Sequence, residues 1–276
     1  ISSFMSEYGF QSFPEYSTFK RFAIVEDEDI YSSVMKHHQR SSIGNVTIEQ
    51  YMDREFKKPK NFEAMLYTSQ LLQADGIKIG IEAHRRNKEK CMGSLYWQLN
   101  DCWPGASWSS IDYFGKWKAL HYKVKKAFAP IIISHEFIDS NLHISVISDQ
   151  LVSFQGSIEV KILTFSSDSL IGKWSEKVFL KPLEVIKKLK ISKEYLPLGK
   201  NKQNTYVSLS LKSKEKIISA KNVFFLPFKK LKIPFPKLNY ECSIIQKEKQ
   251  ILVNVTSKNF AKGVHVSSSS NENFQT

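Results

Sequence analysis

Between Pro130 and Leu226, apolar residues return at every second position in a series of short runs. This periodicity limits what the chain can fold into more than any other feature. A repeat of two puts apolar side chains on one face of a strand. The runs are Ile131–Glu136, Leu142–Ser148, Ser157–Phe165, Trp174–Leu180, Val185–Ile191, Thr205–Lys212 and Ile217–Leu226. Seven short strands at this spacing predict an antiparallel β-sandwich of immunoglobulin type. Charge follows the same pattern. Of the chain's net +13, residues 131–237 hold 18 lysines, no arginine and 9 acidic residues, leaving +9 there. The lysines alternate with apolar residues, as in EVIKKLKISKEYL (Glu184–Leu196), the signature of a solvated strand face. Base recognition would favour arginine and stacking aromatics, so nucleic acid is not the expected partner.

The first 130 residues read differently. Asn61–Lys90 predicts a long helix, with Phe62, Met65, Leu66, Leu72, Ile77 and Ile81 on one broad face and Asn61 as N-cap. Glu63 at its start and Arg85, Arg86, Lys88 and Lys90 at its end suit the helix dipole. Gly76 and Gly80 weaken the helix and mark close packing. Cys91–Leu99 is short and apolar enough for a buried strand, and Gly115–Pro130 predicts a second helix stopped at the proline. With a short strand near Ser3–Ser6, the order is strand, helix, strand, helix, which predicts parallel strands of an α/β unit. After the sandwich, LPFKKLKIPFPKL (Leu226–Leu238) carries three prolines and reads as an extended linker. Gln250–Ser257 alternates again, as the start of a further β-domain, and is followed by a polar tail.

At 276 residues the chain is long enough for two domains, or one with parts of others. No run of 18 apolar residues exists, so no membrane-spanning helix is expected. The chain starts at Ile1 rather than Met and shows no signal peptide, so it reads as a fragment whose parent's address is open. Cys91, Cys102 and Cys242 are too few for a disulfide framework and lack zinc-site spacing. Two sequons, Asn45-Val46-Thr47 and Asn254-Val255-Thr256, are compatible with a secretory route.

Two stretches can carry chemistry. In SEYGFQS (Ser6–Ser12), Glu7 follows a short apolar run. A carboxylate there needs a partner or a task, because burying it alone is costly. Catalytic groups of a (β/α)8 barrel stand at the C-terminal ends of strands, and retaining glycosidases use a carboxylate nucleophile. An N-cap or a buried ion pair is the alternative reading. The second stretch, Leu95–Tyr122, holds Trp97, Trp103, Trp108 and Trp117 within 21 residues, beside Gln98, Asn100 and Asp101. Sugars offer C–H faces to flat rings and hydroxyls to amides and carboxylates. Core packing is the plainer explanation of the same tryptophans. His37 and His38 are adjacent, and adjacent histidines rarely share a face, so no metal site is expected.

FMSEYGFQSFPEYSTF (Phe4–Phe19), then GSLYWQLNDCWPGASWSSIDYFGKWKALHY (Gly93–Tyr122), then NVFFLPFKKLKIP (Asn222–Pro234), resemble the β-mannosidases of glycoside hydrolase family 2 in order and spacing. The resemblance covers nearly the whole chain and the C-terminal portion of the family's length. It implies the C-terminal part of a (β/α)8 catalytic barrel at 1–129 and an immunoglobulin-like β-sandwich at 130–228. A linker at 229–237 and the start of a truncated C-terminal β-sandwich at 238–276 complete the implied layout. Glu7 maps onto the nucleophile at the end of barrel strand 7. Trp97 maps onto the tryptophan of strand 8 that lines the terminal mannose subsite, and Trp103 is a second candidate for that pocket. The implied activity is retaining exo-hydrolysis of terminal β-D-mannose from oligosaccharides and glycoprotein glycans. It needs no cofactor or metal, and the implied location is the lysosome. The family's acid/base Glu lies upstream of the nucleophile, so the chain alone is expected to be inactive. Another family 2 β-glycosidase and a non-catalytic carbohydrate-binding protein are the alternatives.

Overall fold

The computed structural model describes residues 2–166, 169–197, 199–245 and 250–266. The alternating region forms seven strands: β1 (Ile131–Ile138), β2 (Asn141–Ser148), β3 (Phe154–Thr164), β4 (Leu170–Leu180), β5 (Val185–Ile191), β6 (Thr205–Ser213) and β7 (Lys216–Val223). They make two antiparallel sheets, ordered β1-β2-β5 and β4-β3-β6-β7. Register follows the apolar residues. Ile158, Val160 and Ile162 of β3 pair with Leu211, Leu209 and Val207 of β6, and all six are buried. Opposite them, Ile133 pairs with Val146, and Leu142 and Ile144 fill the same core. Slipping either sheet by one residue would turn these side chains to water, which is what fixes the pairing.

Before the sandwich come α1 (Tyr16–Phe19), α2 (Ser33–His37), α3 (Gly44–Glu55), α4 (Phe62–Arg86) and α5 (Ala119–Ala127). Asn61 caps α4, its Oδ1 accepting from Ala64 N at 2.9 Å. The two strands expected at Ser3–Ser6 and Cys91–Leu99 are not continuous. Among the described residues they pair at two parallel bridges, Met5 with Ser94 and Gly9 with Trp97, and Met92 N donates to Ser3 O at 2.7 Å. The bridges are four positions apart on one segment and three on the other, and that mismatch interrupts the ladder. α5 begins later than its pattern predicts because Gly115, at φ +81°, turns the chain, and Trp117 pairs with Ile111. The glycines of α4 do mark close packing. A methyl on Gly80 would stand 3.1 Å from Tyr8 Cε2, and one on Gly76 3.3 Å from Phe10 Cδ2. Glycines four apart on a helix are about 6 Å apart along its axis, and alternate residues of an extended segment about 6.6 Å. The two rings therefore seat side by side on the helix.

The C-terminal end of α4 is fastened to the sandwich. Glu82 accepts from Lys221 Nζ and from Ser134 Oγ, the latter at 3.0 Å. Arg85 donates to Asp149 Oδ2 at 2.7 Å, and Arg86 to Ser134 Oγ at 2.7 Å. Beyond β7, a short 3-10 turn (Phe228–Lys230) stacks Phe228 on Phe56. Leu231 is then buried beside Phe165 and Tyr206. β8 (Leu238–Ile245) and β9 (Gln250–Ser257) form a separate antiparallel pair with mostly exposed side chains. Among the described residues no helix is long and apolar enough to cross a membrane.

His135 of β1 gives the fold a pH dependence. Its Nδ1 is buried without a hydrogen-bond partner. Burial first, then Lys221, Lys78 and Arg86, holds its pKa down at about 2. An unfolded histidine takes up its proton near pH 6.5. The unfolded chain therefore binds more protons between these limits. The stability due to neutral His135 is full above the upper limit and is lost as pH falls. One proton corresponds to about 1.4 kcal/mol per pH unit. Urea unfolding between about pH 6.5 and pH 4.5 should show His135→Gln losing less stability than the parent by that slope. Equal losses would contradict this account.

Candidate functional site

The site is built on the segment that contains Glu7 and on the loop that starts at Trp97. Tyr8 and Phe10 turn their rings onto α4. The intervening Gly9 and the preceding Glu7 belong to the opposite face, since neighbours in an extended segment alternate. At Gly9 the two segments come close. A Cβ there would meet Trp108 Cδ1 at 2.7 Å and Trp97 O at 2.8 Å, so a side chain at this position would push the segments apart. Trp97 N donates to Tyr8 O at 2.8 Å and Leu95 N to Met5 O at 2.9 Å. Glu7 is exposed, as is Trp97 at 49%. The pairing thus sets an open carboxylate and an open indole on neighbouring segments.

The loop after Trp97 is held by a carboxylate. Asp101 Oδ1 accepts from Gln98 Nε2 at 3.2 Å, while Oδ2 accepts from Ser107 Oγ at 2.7 Å and from Ser109 Oγ. Gln98 Nε2 also donates to Asn100 O at 2.8 Å. The backbone closes the loop through Gln98 N to Trp108 O (3.1 Å) and Ser110 N to Gln98 O (3.0 Å). Ser12 and Ser107 exchange both of their backbone hydrogen bonds, at 3.0 and 3.1 Å. Beneath them Gln73 of α4 accepts from Ser12 Oγ at 2.7 Å and donates to Phe10 O at 2.8 Å. Asp112 accepts from Thr18 Oγ1 and from the backbone N–H groups of Phe114 and Lys116, and burial pushes its carboxyl up.

The four tryptophans divide. Trp97 and Trp103 are open, Trp103 at 41%. Trp108 lies against Gly9, and Trp117 packs at 4.4 Å on His121. Trp103 stacks on His38 at 5.1 Å, and His38 stacks in turn on Phe22 at 4.1 Å. His38 is thus part of an aromatic stack that supports Trp103. Among the described residues no cluster of His, Cys, Asp and Glu could hold a metal. The three cysteines are unbridged.

The two sequons differ. Asn254 is exposed on β9. Asn45 is 7% exposed, with Nδ2 donating to Ile30 O and Oδ1 accepting from Gln39. Asn45 is thus packed inside the fold, where a glycan would have to displace its neighbours. Lys118 is a buried charge that pattern reading misses. In GKWKALHY it looks like one more solvated lysine, yet it is wholly buried. Burial pushes its ammonium down to about 8, against the pull of Asp101 and Asp112.

Comparison with known proteins adds an independent finding. Residues 140–230 match the Mannosidase Ig/CBM-like domain family. A β-mannosidase of Bos taurus is 34% identical over 270 residues, covering 88% of this chain and 30% of its own length. One of Capra hircus is 38% identical over 182 residues, covering 61% of this chain and 21% of that protein. The crystal structure of a β-D-mannosidase from Dictyoglomus thermophilum superposes with a TM-score of 0.84 at 30% identity, over 93% of this chain and 31% of that one. The chain thus spans less than a third of the length of each of these relatives.

Proposed function

We propose that this chain, which is similar to the β-mannosidases of glycoside hydrolase family 2 over nearly its whole length, is the C-terminal part of a retaining exo-β-mannosidase. The observation that carries the reading is the Gly9–Trp97 pairing, which sets Glu7 and the open Trp97 ring on neighbouring segments while Tyr8 and Phe10 face α4. In this reading residues 1–129 are the C-terminal part of a (β/α)8 barrel, its last two strands joined through α4. Residues 130–228 are the immunoglobulin-like domain, 229–237 the linker and 238–276 the start of a further β-domain.

The chemistry follows from two carboxyl groups about 5–5.5 Å apart. Glu7 attacks the anomeric carbon as the aglycone oxygen takes a proton from the acid/base group, giving a glycosyl ester on Glu7. Water, deprotonated by the same acid/base group, then cleaves the ester, so configuration is retained. The Trp97 ring supports the C–H face of the terminal mannose, and Trp103 extends the apolar surface. Glu7 is the one catalytic carboxylate that the resemblance carries onto this sequence, so the chain by itself is inactive. The substrates are terminal β-mannosides of oligosaccharides and glycoprotein glycans, the reaction needs no cofactor, and the location is the lysosome.

Proton NMR of the first-formed sugar tests the proposal, with the complete protein acting on an aryl β-mannoside. β-Mannose should appear before its α-anomer, and this chain alone should release none. First appearance of α-mannose would overturn retention. Sugar binding by the complete protein without release would favour a carbohydrate-binding role.

A further inference from the structure

We propose that Lys118 is a positioning residue of the site: its buried ammonium joins the segment carrying Glu7 to the loop carrying Trp97 and Trp103. The proposal rests on the β-mannosidase reading. Lys118 Nζ lies 3.3 Å from Ser12 O and 3.5 Å from Ser107 O. These are the two carbonyls that already accept each other's backbone N–H. A carbonyl oxygen has two lone pairs, so each can take the amide on one and the ammonium on the other. The segment, the loop and the start of α5 therefore meet at one nitrogen. Lys118 N also donates to Ser110 O at 2.9 Å, fixing the root of the side chain to the same loop.

A wholly buried ammonium is costly, and a buried apolar side chain would avoid that cost. What the charge adds here is a field between two anions. Asp101 and Asp112 both attract Lys118. Asp101 gathers Gln98, Ser107 and Ser109 at the Trp97 end of the loop. Asp112 gathers Thr18, Phe114 and Lys116 at its far end. Ser12 is five residues past Glu7, and Gln98 directly follows Trp97. Removing the charge lets the loop shift relative to Glu7, and a shift of about 1 Å can cost on the order of 100-fold in rate.

The test is a double-mutant cycle in the complete protein, read as kcat/KM on an aryl β-mannoside, with unfolding midpoints recorded for every variant. Lys118→Met should lower kcat/KM about 10- to 100-fold when Trp97 is present, and less than about twofold in a Trp97→Ala background. Equal losses in both backgrounds would show a role independent of the Trp97 loop and overturn the proposal. Should Lys118→Met not fold, Asp101→Asn enters the same cycle. The same dependence on Trp97 supports the proposal, and its absence overturns it. A complete protein without turnover, or one whose turnover survives Glu7→Gln, overturns the enzymatic reading and this role with it. Turnover lost in Glu7→Gln together with an additive cycle overturns only the role of Lys118.

Discussion

Glu7→Gln in the complete protein should lower kcat on an aryl β-mannoside on the order of 10⁴-fold or more, the scale seen when a covalent catalyst loses a reacting group. The amide keeps the shape of the carboxyl and removes the charge that forms the glycosyl ester. Glu7 is exposed, so the fold should hardly notice. Its replacement should change unfolding free energy by no more than about 0.5 kcal/mol, as for most surface sites. KM should move far less than kcat, because Trp97 and its loop still receive the sugar. A 2-fluoromannosyl probe followed by peptide mass spectrometry checks the assignment directly. The probe should label Glu7 in the parent and nothing in the variant. Label on a different carboxylate would remove Glu7 from the mechanism.

The largest effect on stability is expected at Glu82. Its side chain is 8% exposed and that of Lys221 is 7%. Burial opposes ionisation of Glu82, yet Lys221 and Lys78 outweigh it and hold the carboxyl below the usual range. A carboxylate with a depressed pKa stabilises the fold above the ordinary carboxylate range, and this stabilisation is lost as pH falls through the folded value. Glu82→Ala leaves Lys221 buried beside Lys78 and Arg86 without its counter-charge. Breaking such a pair from one side costs about 3–5 kcal/mol. Urea unfolding near neutral pH should show that loss. Replacing both members, Glu82→Met with Lys221→Met, should recover most of it. A Glu82→Ala protein within about 1 kcal/mol of the parent would mean that Lys221, which burial already holds down at about 8, sheds its proton instead of staying buried as a lone charge.

The sandwich was legible because one face of each strand is buried, and alternation records that face residue by residue. The β5 boundaries, Val185–Ile191, coincide with the apolar–lysine alternation. α4 was legible from its cap and its long apolar face. α3 was not foreseen. Its buried face rests on Ile48 and Met52, within a run that opens Gly44-Asn45-Val46-Thr47 and has low intrinsic helix propensity. Glu7 and Trp97 stood out through their motifs, but the pairing that joins them is a contact across about ninety residues, which no local pattern encodes. Lys118 drew no attention and Asn45 was read only as part of a sequon for the same reason. A lysine in a helical approach and an asparagine in a sequon both look solvated until distant segments close over them.

The paired glycines of α4 also set a rule for anyone rebuilding this protein. A helix borrowed from elsewhere could match α4 in length, cap and apolar stripe and still fail, because any side chain at position 76 or 80 meets the ring of Phe10 or Tyr8. Grafts that carry glycine at both positions, in that register, spare those rings a shift of a few tenths of an ångström. A library that randomises α4 and selects for turnover should therefore return Gly76 and Gly80 far more often than the apolar residues around them, whose volumes can be traded among neighbours.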